Sequence, residues 1–305
     1  MNATFHRGEK EAHRLAGVVK AAEKLGPRLV NEPMPDQHRE FFQQLPLLFV
    51  GSLDEQGRPW ASVMVGEPGF AHSPNPRRLV VSATPLPHDP LGDNLKAGAQ
   101  LGLLGLEFPT RRRNRVNGEI GALLDAGFEL KVAQSFGNCP GYIQKRSLQP
   151  REDTTNELSQ GTTLSIEART LIQESDTFFI ASSFEEQGVD MSHRGGRPGF
   201  VKVVDNTLIF PDFSGNNLLN TIGNLVANPR AGLLFIDYEK GDILHLTTTT
   251  DILWEGPEVD AFEGARRLVR LHVEEWRLIK NSLPFAWVLE EYSPTLKRTG
   301  TWENR

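Results

Sequence analysis

Two cations in the second half of the sequence have the types and spacing that suit a phosphate site. Arg197 and Lys202 lie five residues apart around a predicted strand, residues 199–204. A second strand and a short turn follow, and an amphipathic helix is predicted over residues 216–227. Cations beside the free N–H groups at the start of a helix favour a phosphate dianion. The pattern therefore predicts a phosphate site, with simple exposure of both cations on an edge strand as the alternative.

Two further groups of polar residues are candidates for a binding site, and the members of the first group share one face of a strand. Alternate residues on a strand predicted over residues 113–124 form the first group: Arg113, Arg115 and Asn117. Three consecutive residues just before the phosphate stretch form the second group: Ser192, His193 and Arg194. Each group either lies in solvent or faces a binding cleft, and the sequence leaves both outcomes open. In a cleft, a cation from the first group would stabilise an anionic ligand.

Other reactive side chains give weaker signals. Cys139 is either a buried small residue or a thiol near the site, and Trp60 is expected in the core. The eight histidines show no pair at metal-ligand spacing, so no metal site is predicted. The sequence contains no G-x-G-x-x-G after a strand, no Walker sequence and no G-x-S-x-G elbow. No side chain stands out as a required catalytic acid or base.

The predicted elements that position these residues occur twice. LFVGSLDEQG at residues 48–57 parallels FFIASSFEEQG at residues 178–188, and GLLGLE at 102–107 parallels GLLFID at 232–237. Strand order, helix position and spacing agree between the halves, which favours a tandem duplication over the chance similarity of β-hairpins. We therefore expect two copies of one β-rich domain, packed face to face as an internal pseudo-dimer with a cleft between them.

The expected organisation is mainly β with flanking helices. It comprises a helical N-terminal segment (residues 1–45), a first β-rich domain (46–146), a polar linker (147–163) and a second β-rich domain (164–305). Helices are also predicted over residues 9–25, 36–45, 89–96 and 165–174. Strands are predicted over residues 47–53, 58–65, 78–83, 100–107, 113–124, 128–134, 199–204, 207–211, 242–253, 266–276 and 287–292, with a helix as the alternative for 266–276.

Length and composition limit the class of protein. The chain has 305 residues, 38% hydrophobic and 24% charged, as is typical of a globular protein, and its net charge of −6 argues against nucleic acid as the main partner. The single cysteine excludes an internal disulfide. The N-terminus lacks a signal-peptide pattern, and no apolar run reaches the roughly 20 residues of a membrane span. We expect a cytoplasmic protein without membrane or nucleic-acid partners that also associates as a homodimer.

At this point the sequence resembles a known family. RPGFVK followed by IFPDFSGNNL resembles the flavin-phosphate segment of the pyridoxamine 5′-phosphate oxidase-like, FMN-binding split-barrel superfamily. In the first half, HREFFQQLP, GSLDEQGRPWASV, RRRNRVNG and QSFGNCPGYIQ are similar to a double-domain branch of that superfamily. The resemblance covers nearly the whole chain except the linker. It implies two tandem split β-barrels and an FMN cofactor.

The resemblance also implies which residues contact FMN. Arg197 and Lys202 match two strand cations that hold the phosphate. Phe210 and Pro211 match a pair that contacts the flavin ring or the ribityl chain. Asn216 and Asn217 match a pair at the start of the helix. Ser192, His193 and Arg194 lie where family members tend to meet the flavin. Arg113 or Arg115 would stabilise the anionic reduced flavin from the first half.

Two departures from the family pattern limit the expected activity. Asn216 and Asn217 replace basic residues of the pyridoxamine phosphate oxidases, and no Arg, Tyr and Ser set for a substrate phosphate is evident. Synthesis of pyridoxal phosphate is therefore not expected. In the first half, Glu67 stands where the second half has its strand arginine, and a glutamate repels phosphate. We expect a degenerate first-half site and one FMN per chain.

The sequence therefore predicts an FMN-binding protein that acts as a flavin-dependent oxidoreductase on an unidentified small substrate. Because the chain has no nicotinamide-binding motif of its own, NAD(P)H would dock transiently or a separate reductase would supply the electrons. The alternative is a flavin-binding or sensor module without turnover, or an electron-transfer partner of a separate reductase. A third possibility is the same fold with another phosphate ligand or haem.

Overall fold

The computed structural model describes residues 5–151, 154–185 and 188–302. Each half of the chain contributes one large antiparallel sheet with helices at its flanks. The first half contains α1 (Arg7–Leu15), α2 (Val19–Leu29), α3 (Asp36–Gln43), β1 (Leu47–Leu53), β2 (Pro59–Val65), β3 (Ala71–Asn75), β4 (Arg78–Val81), α4 (Leu91–Asn94), β5 (Gln100–Glu107), β6 (Arg112–Leu123), β7 (Phe128–Gly137) and β8 (Lys145–Pro150). The second half contains β9 (Glu157–Gly161), α5 (Ile166–Glu174), β10 (Thr177–Phe184), β11 (Gly188–Gly195), β12 (Lys202–Val204), β13 (Thr207–Phe213), α6 (Asn220–Ala227), β14 (Arg230–Ile236), β15 (Ile243–Leu253), α7 (Pro257–Ala261), β16 (Ala265–Lys280), β17 (Phe285–Glu291) and a 3₁₀ turn (Pro294–Arg298).

The two large sheets share one strand order. The first is β2-β1-β5-β6-β7-β4-β3, and the second is β11-β10-β14-β15-β16-β13-β12. Each strand of one sheet therefore has an equivalent in the other. β9 adds to the second sheet beside β16, and β8 pairs with β17 in a small separate sheet. The predicted mainly β fold of two tandem split β-barrels, arranged as an intrachain pseudo-dimer, is confirmed.

Equivalent buried hydrogen bonds tie a helix to a strand in both barrels. Asn94 of α4 donates to the Ser52 hydroxyl of β1 at 2.9 Å, and Asn224 of α6 donates to the Ser182 hydroxyl of β10 at 3.0 Å. Buried amides need such partners, because an unpaired one costs about 1–3 kcal/mol. The repeated bond fixes the helix at the same place on each barrel, and in the second barrel this places the start of α6 beside β11.

The barrels meet through a third apolar core that contains residues of both halves. At its centre the rings of Phe49 and Phe179, which are equivalent residues of β1 and β10, stack with centroids 3.5 Å apart. Glycines allow the backbones to approach on either side. A Cβ atom at Gly102 would lie 2.4 Å from the carbonyl oxygen of Val189, and one at Gly232 would lie 2.4 Å from a backbone oxygen of the first barrel. The seam between the barrels is therefore a tight, pseudo-symmetric contact.

Two predicted helices differ from the structure because of left-handed residues. The helix predicted over residues 9–25 is two helices, since Gly17 takes a φ of 68° between α1 and α2. The helix predicted over residues 216–227 begins only at Asn220, because Asn217 and Leu219 take φ values of 60° and 54°. The asparagine pair consequently lies in the loop before α6, not at the first turn of the helix.

The strand predicted over residues 199–204 is reduced to β12. Gly199 takes a φ of 84°, and the N–H of Phe200 donates to the carbonyl of Arg197 at 2.9 Å, so the chain turns here. The two cations that were expected on one strand are therefore a turn residue and a strand residue.

Residues 266–276 form a strand within β16, as the preferred interpretation of their alternation predicted. The expected linker, residues 147–163, has a strand towards each end, in β8 and β9, and residues 152 and 153 of it lie outside the described residues. No helix in the described ranges has the length and apolar character needed to cross a membrane.

We expect Gly232→Ala to destabilise the protein by about 1–3 kcal/mol, because the added Cβ would overpack the seam against Pro59 and Trp60. The matched control is Gly92→Ala in α4, where a Cβ meets no atom within 4 Å. The control should be neutral or slightly stabilising. Urea unfolding of the parent and both variants measures the difference, and equal stabilities for the two variants would show that the seam is not tightly packed.

Candidate functional site

A cavity opens at the seam between the barrels. Its wall from the first half is β6 and the loop after β7, and its wall from the second half is β11, the end of β13 and the start of α6. It has a volume of about 100 Å³ and opens to solvent.

The wall from the first half carries two arginines, each with a buried N–H group that lacks an acceptor among the described residues. Arg115 is 7% exposed and donates to the Ser192 hydroxyl, while its Nε has no hydrogen-bond partner among the described residues. Arg113 contacts His193, and its Nε is likewise buried without a partner. Burial lowers the pKa of Arg113 to about 9 and that of Arg115 to about 10, and Arg194 adds to both shifts. Because a guanidinium keeps its proton in proteins, these shifts mark a place that favours an anion.

His193 supplies another donor without a partner. Its Nδ1 lies 3.2 Å from Nη1 of Arg113, and because a guanidinium only donates, Nδ1 must accept. Burial, followed by the charges of Arg113 and Arg194, lowers the pKa of His193 well below its usual value, so the ring is neutral at pH 7. Its single proton is therefore on Nε2, which has no hydrogen-bond partner in the described part of the chain.

Two aspartates offset part of the positive charge. Asp212 lies between Arg194 and Arg267, at 3.0 Å and 3.2 Å. Asp190 lies 3.8 Å from Arg115. The cavity wall itself carries three arginines, Arg113, Arg115 and Arg194, and one aspartate, Asp212. The site keeps an excess of positive charge, which favours a ligand that carries at least one negative charge.

Most residues predicted from the sequence come together here. Seven of them line the cavity: Arg113, Arg115, His193, Arg194, Pro211, Asn216 and Asn217. Ser192 lies directly behind this wall and shares a hydrogen bond of 2.7 Å with Thr221. Asn117 donates to Asp190 across the seam at 2.7 Å. The face shared by Arg113, Arg115 and Asn117 is therefore turned towards the second barrel.

Three predicted residues lie elsewhere. Phe210 is fully buried in the core of the second barrel. Arg197 lines a separate groove on the surface, and Lys202 is exposed, with its Nζ 5.2 Å from the centre of the Trp302 ring. The turn at Gly199 is the physical reason, because it breaks the strand on which both cations were expected.

Sequence reasoning missed residues that shape the mouth of the cavity. The hydroxyl of Tyr142 donates to the carbonyl of Ser214 at 2.9 Å, and its ring stacks on Phe213 with centroids 5.2 Å apart. Cys139, which the sequence predicted either as a buried small residue or as a thiol near the site, is exposed at the same rim and is not buried. Tyr142 belongs to an irregular loop, where no periodicity marks a residue, so only the fold could place it against the second barrel.

The duplicated fold creates a second, equivalent position in the seam, where β15 faces β2. Arg115 pairs in register with Leu104 of β5, and His245 pairs with Leu234 of β14. His245 therefore takes the place of Arg115. Ile243, two residues before His245 in β15, takes the place of Arg113.

This second position is packed with side chains. Trp60 is 1% exposed there. The Ser62 hydroxyl donates to Asp89 at 2.6 Å, and Nδ1 of His245 forms a hydrogen bond with the carbonyl of Ala61 at 2.8 Å. The equivalent position lacks the arginine cluster of the cavity, and its buried His245 Nε2 and Asp89 Oδ2, 3.8 Å apart, have no hydrogen-bond partner among the described residues.

The N-terminal helix reaches the back of the cavity through a buried carboxyl group. Glu9 of α1 is 3% exposed, and it accepts hydrogen bonds from Asn220 at 2.6 Å and from the backbone N–H of His6 at 3.0 Å. Burial, followed by the charge of Asp190, raises the pKa of Glu9 to about 8. Glu9 is therefore protonated at neutral pH and leaves the positive charge of the site uncancelled.

The protein is therefore a tandem split barrel with a positively charged cavity at the seam between its barrels. The sequence profile of the pyridoxamine 5′-phosphate oxidase family matches residues 34–156 and again residues 164–280. The chain belongs to this family. The two matches coincide with the two barrels, so the predicted family and its double-domain arrangement are confirmed.

Solved structures similar to this chain each cover about one barrel. HupZ of Group A Streptococcus is 17% identical, covering 36% of this chain and 90% of its own, with a TM-score of 0.30. A pyridoxamine 5′-phosphate oxidase-type protein of Lactobacillus delbrueckii is 13% identical, covering 37% and 93%, with a TM-score of 0.32. An FAD-binding protein of Mesorhizobium loti is 14% identical, covering 40% and 97%, with a TM-score of 0.27. No curated protein matches the sequence significantly.

We expect added inorganic phosphate to raise the Tm of the parent protein and Arg113→Met to remove most of this shift. A ligand at a hundred times its Kd stabilises by about 2.7 kcal/mol. In phosphate-free buffer the variant should be at least as stable as the parent, because it no longer buries a charge without an anion. Arg112→Met is the control, since Arg112 lies on the other face of β6 over the Phe41 ring. An equal phosphate shift in parent and Arg113→Met would exclude an anion site at Arg113.

Glu9→Gln should change how stability depends on pH. The folded-state pKa of about 8 lies above the ordinary value of 4.5, so the parent loses stability as pH rises from 4.5 to 8, while the unfolded state alone releases its proton. The variant lacks this loss. Urea unfolding should therefore show the two proteins closest at pH 4 and the variant gaining most near pH 9. A difference that does not vary with pH would contradict a buried, protonated Glu9.

Proposed function

We propose that the seam cavity binds FMN and that the protein is a flavin-dependent oxidoreductase acting on a small substrate. One observation carries the proposal, a set of buried N–H groups from both barrels that have no partner among the described residues: Nε of Arg113, Arg115 and Arg194, and Nε2 of His193. Each such group costs about 1–3 kcal/mol when left unpaired. A ligand rich in acceptors and negative charge would offset that cost, and FMN offers a phosphate dianion and ring carbonyl oxygens.

The donors divide between the two ends of such a ligand. Arg194 and the polar loop that contains Asn216 and Asn217 would hold the phosphate from the second barrel. Arg113 and Arg115 would face the carbonyl edge of the ring from the first barrel. In this arrangement Asn216 and Asn217 keep their predicted place near the phosphate. The phosphate contacts predicted for Arg197 and Lys202 are made instead by an arginine that lines the cavity, Arg194.

The chain's own residues would orient the ligand, keep water away and hold positive charge near it. A bound flavin supplies the electron-transfer chemistry. The stacked pair of Tyr142 and Phe213 narrows the mouth of the cavity. Arg113 is held in place by His193, and Arg115 is held in place by Ser192. The positive charge of both arginines is therefore already oriented before a substrate arrives. Fixed positive charge of this kind stabilises negative charge that develops during a reaction.

We expect the purified protein to contain FMN, identified by mass spectrometry after denaturation. Arg113→Met should weaken FMN binding by at least about tenfold, which corresponds to 1.4 kcal/mol. Arg197→Ala and Lys202→Ala should leave FMN affinity unchanged, because neither residue lines the cavity. Quenching of FMN fluorescence measures the affinities. If Arg197→Ala releases FMN and Arg113→Met retains it, the phosphate site is the one predicted from the spacing of the two cations.

Anaerobic mixing of the FMN-loaded protein with NADH or NADPH tests the oxidoreductase part. Rapid bleaching of the flavin colour supports turnover with a nicotinamide donor. A yellow protein that stays inert to both donors and to a separate flavin reductase supports the alternative, a flavin-binding module. A Soret band in the purified protein would contradict flavin and favour haem.

A further inference from the structure

Exposed positive charge collects on one side of the second barrel, outside the seam cavity. It comes from three segments of the chain, residues 197–206, 263–266 and 294–302. These segments carry five exposed cations, which we call the cationic face: Arg197, Lys202, Arg266, Lys297 and Arg298. The sequence assigned the first two to a phosphate site, and the fold leaves both of them on the surface.

The cations of this face are neighbours in space although they are far apart in the chain. Arg197 and Lys297 line one surface groove. Lys297 also lines the adjoining groove, together with Arg266 and Arg298. Because the two grooves share a residue, the positive charge forms one continuous surface.

Backbone contacts hold the three segments together. The N–H of Trp302 donates to the carbonyl of Gly199 at 3.0 Å, and Nζ of Lys202 lies 5.2 Å from the centre of the Trp302 ring. Gly264 takes a φ of 84°, and a Cβ atom there would lie 2.4 Å from the carbonyl oxygen of Arg298. The cations therefore extend from a fixed framework, even though their side chains are exposed.

Most of this charge is uncompensated. Within the ranges that the structure describes, none of the five cations forms an ion pair. The three segments carry two carboxylates, Asp205 and Glu263. Glu291 lines the outer groove, but it pairs with Arg111 at 3.3 Å and with Lys145 at 3.5 Å. On a chain with a net charge of −6, a face of this sign attracts an acidic surface.

The cationic face borders the mouth of the seam cavity. Tyr142 and Ser214 line both the cavity and the groove that contains Arg266 and Arg298. Burial raises the pKa of the Tyr142 hydroxyl, and the charges of Arg266 and Arg298 offset part of this rise, which shows that both cations lie close to it. A protein docked on the face would therefore cover the mouth of the cavity.

We infer that the cationic face docks an acidic electron-carrier protein that reduces the flavin in the cavity. The inference rests on the proposed function, since it assumes that the cavity holds FMN. Each reduced carrier gives up one electron at the mouth and leaves in its oxidised form. Two such encounters, with protons taken up from water, supply the two electrons that full reduction of the flavin requires.

Charge and geometry favour this partner over other acidic partners. Nucleic acid or an anionic membrane would extend beyond the face and meet the acidic remainder of the surface, which repels it. A second copy of this chain would bind through a different surface from the one it meets. Such a contact produces open chains of molecules unless its rotation closes a ring. A compact protein with one acidic patch meets neither obstacle.

The test mixes the FMN-loaded protein anaerobically with a reduced plant-type [2Fe–2S] ferredoxin, an acidic one-electron carrier, and follows flavin reduction by stopped flow. The variant is the double substitution Arg266→Glu and Lys297→Glu. The matched control, Lys20→Glu with Lys24→Glu, changes the net charge equally on the exposed side of α2. At about 50 mM salt the second-order rate constant should fall at least about tenfold in the variant and little in the control. At about 0.5 M salt the difference should shrink.

Equal rate constants in the variant and the parent would overturn the inference. Equal slowing of the variant and the control would do so too, because net charge alone would then explain the effect. Failure of the ferredoxin to reduce the parent at either salt concentration would also overturn it. Tighter binding of single-stranded DNA than of oxidised ferredoxin would assign the face to nucleic acid, and self-association that the variant loses would assign it to a second copy.

FMN content separates this inference from the proposed function. It should be the same in the parent, the variant and the control, since none of the substituted residues lines the cavity. If the protein takes up no FMN, the proposed function fails, and isothermal titration with oxidised ferredoxin tests the docking surface by itself. Weaker binding by the variant than by the control then still supports the surface, and equal binding overturns it.

Discussion

Positive charge buried between two barrels is the constraint on which the site depends. The guanidinium groups of Arg113 and Arg115 extend from the first barrel into the cavity at the seam, where they meet the neutral groups of His193 and Ser192. Asp190 approaches one of them, but only at 3.8 Å. Buried charge without close compensation is costly. The contact between the barrels must therefore be strong enough to hold these groups in place, and the cavity exists only while both barrels are together.

The strength of that contact comes from backbone approach and apolar packing. Gly102 and Gly232 let strands of one barrel lie directly on the backbone of the other, and Phe49 stacks on Phe179 between them. All of these contacts are related by the internal pseudo-symmetry of the duplicated chain. The seam is therefore a dimer interface made permanent by covalent linkage, so its stability does not depend on protein concentration.

Duplication produced two equivalent positions in this seam, and side chains alone distinguish them. Around Trp60 and His245 the seam is packed with buried side chains, and the hydrogen bonds of Ser62 and His245 stabilise it. Around Arg113 the residues leave a cavity lined by arginines. Structures commonly give up stability where they bind ligands and recover it elsewhere. In this protein the packed position around Trp60 stabilises the seam, and the equivalent position around Arg113 contains the cavity.

The chain as a whole is acidic, yet the cavity at the seam is cationic. Cations that line a concave surface concentrate the field and attract anionic molecules from solution.

The sequence by itself determined the duplication, the mainly β class and most of the strands, because hydrophobic alternation and repeated turn residues are local properties. It also identified Arg113 and Arg115, since alternate residues of a strand share a face, and the family resemblance added His193 and Arg194. It could not decide whether these residues met solvent or each other. Only the tertiary structure brought β6 of one barrel against β11 of the other and placed Arg197 in a groove outside the cavity. Contacts between residues far apart in the chain depend on how two sheets pack, and no local pattern records that packing.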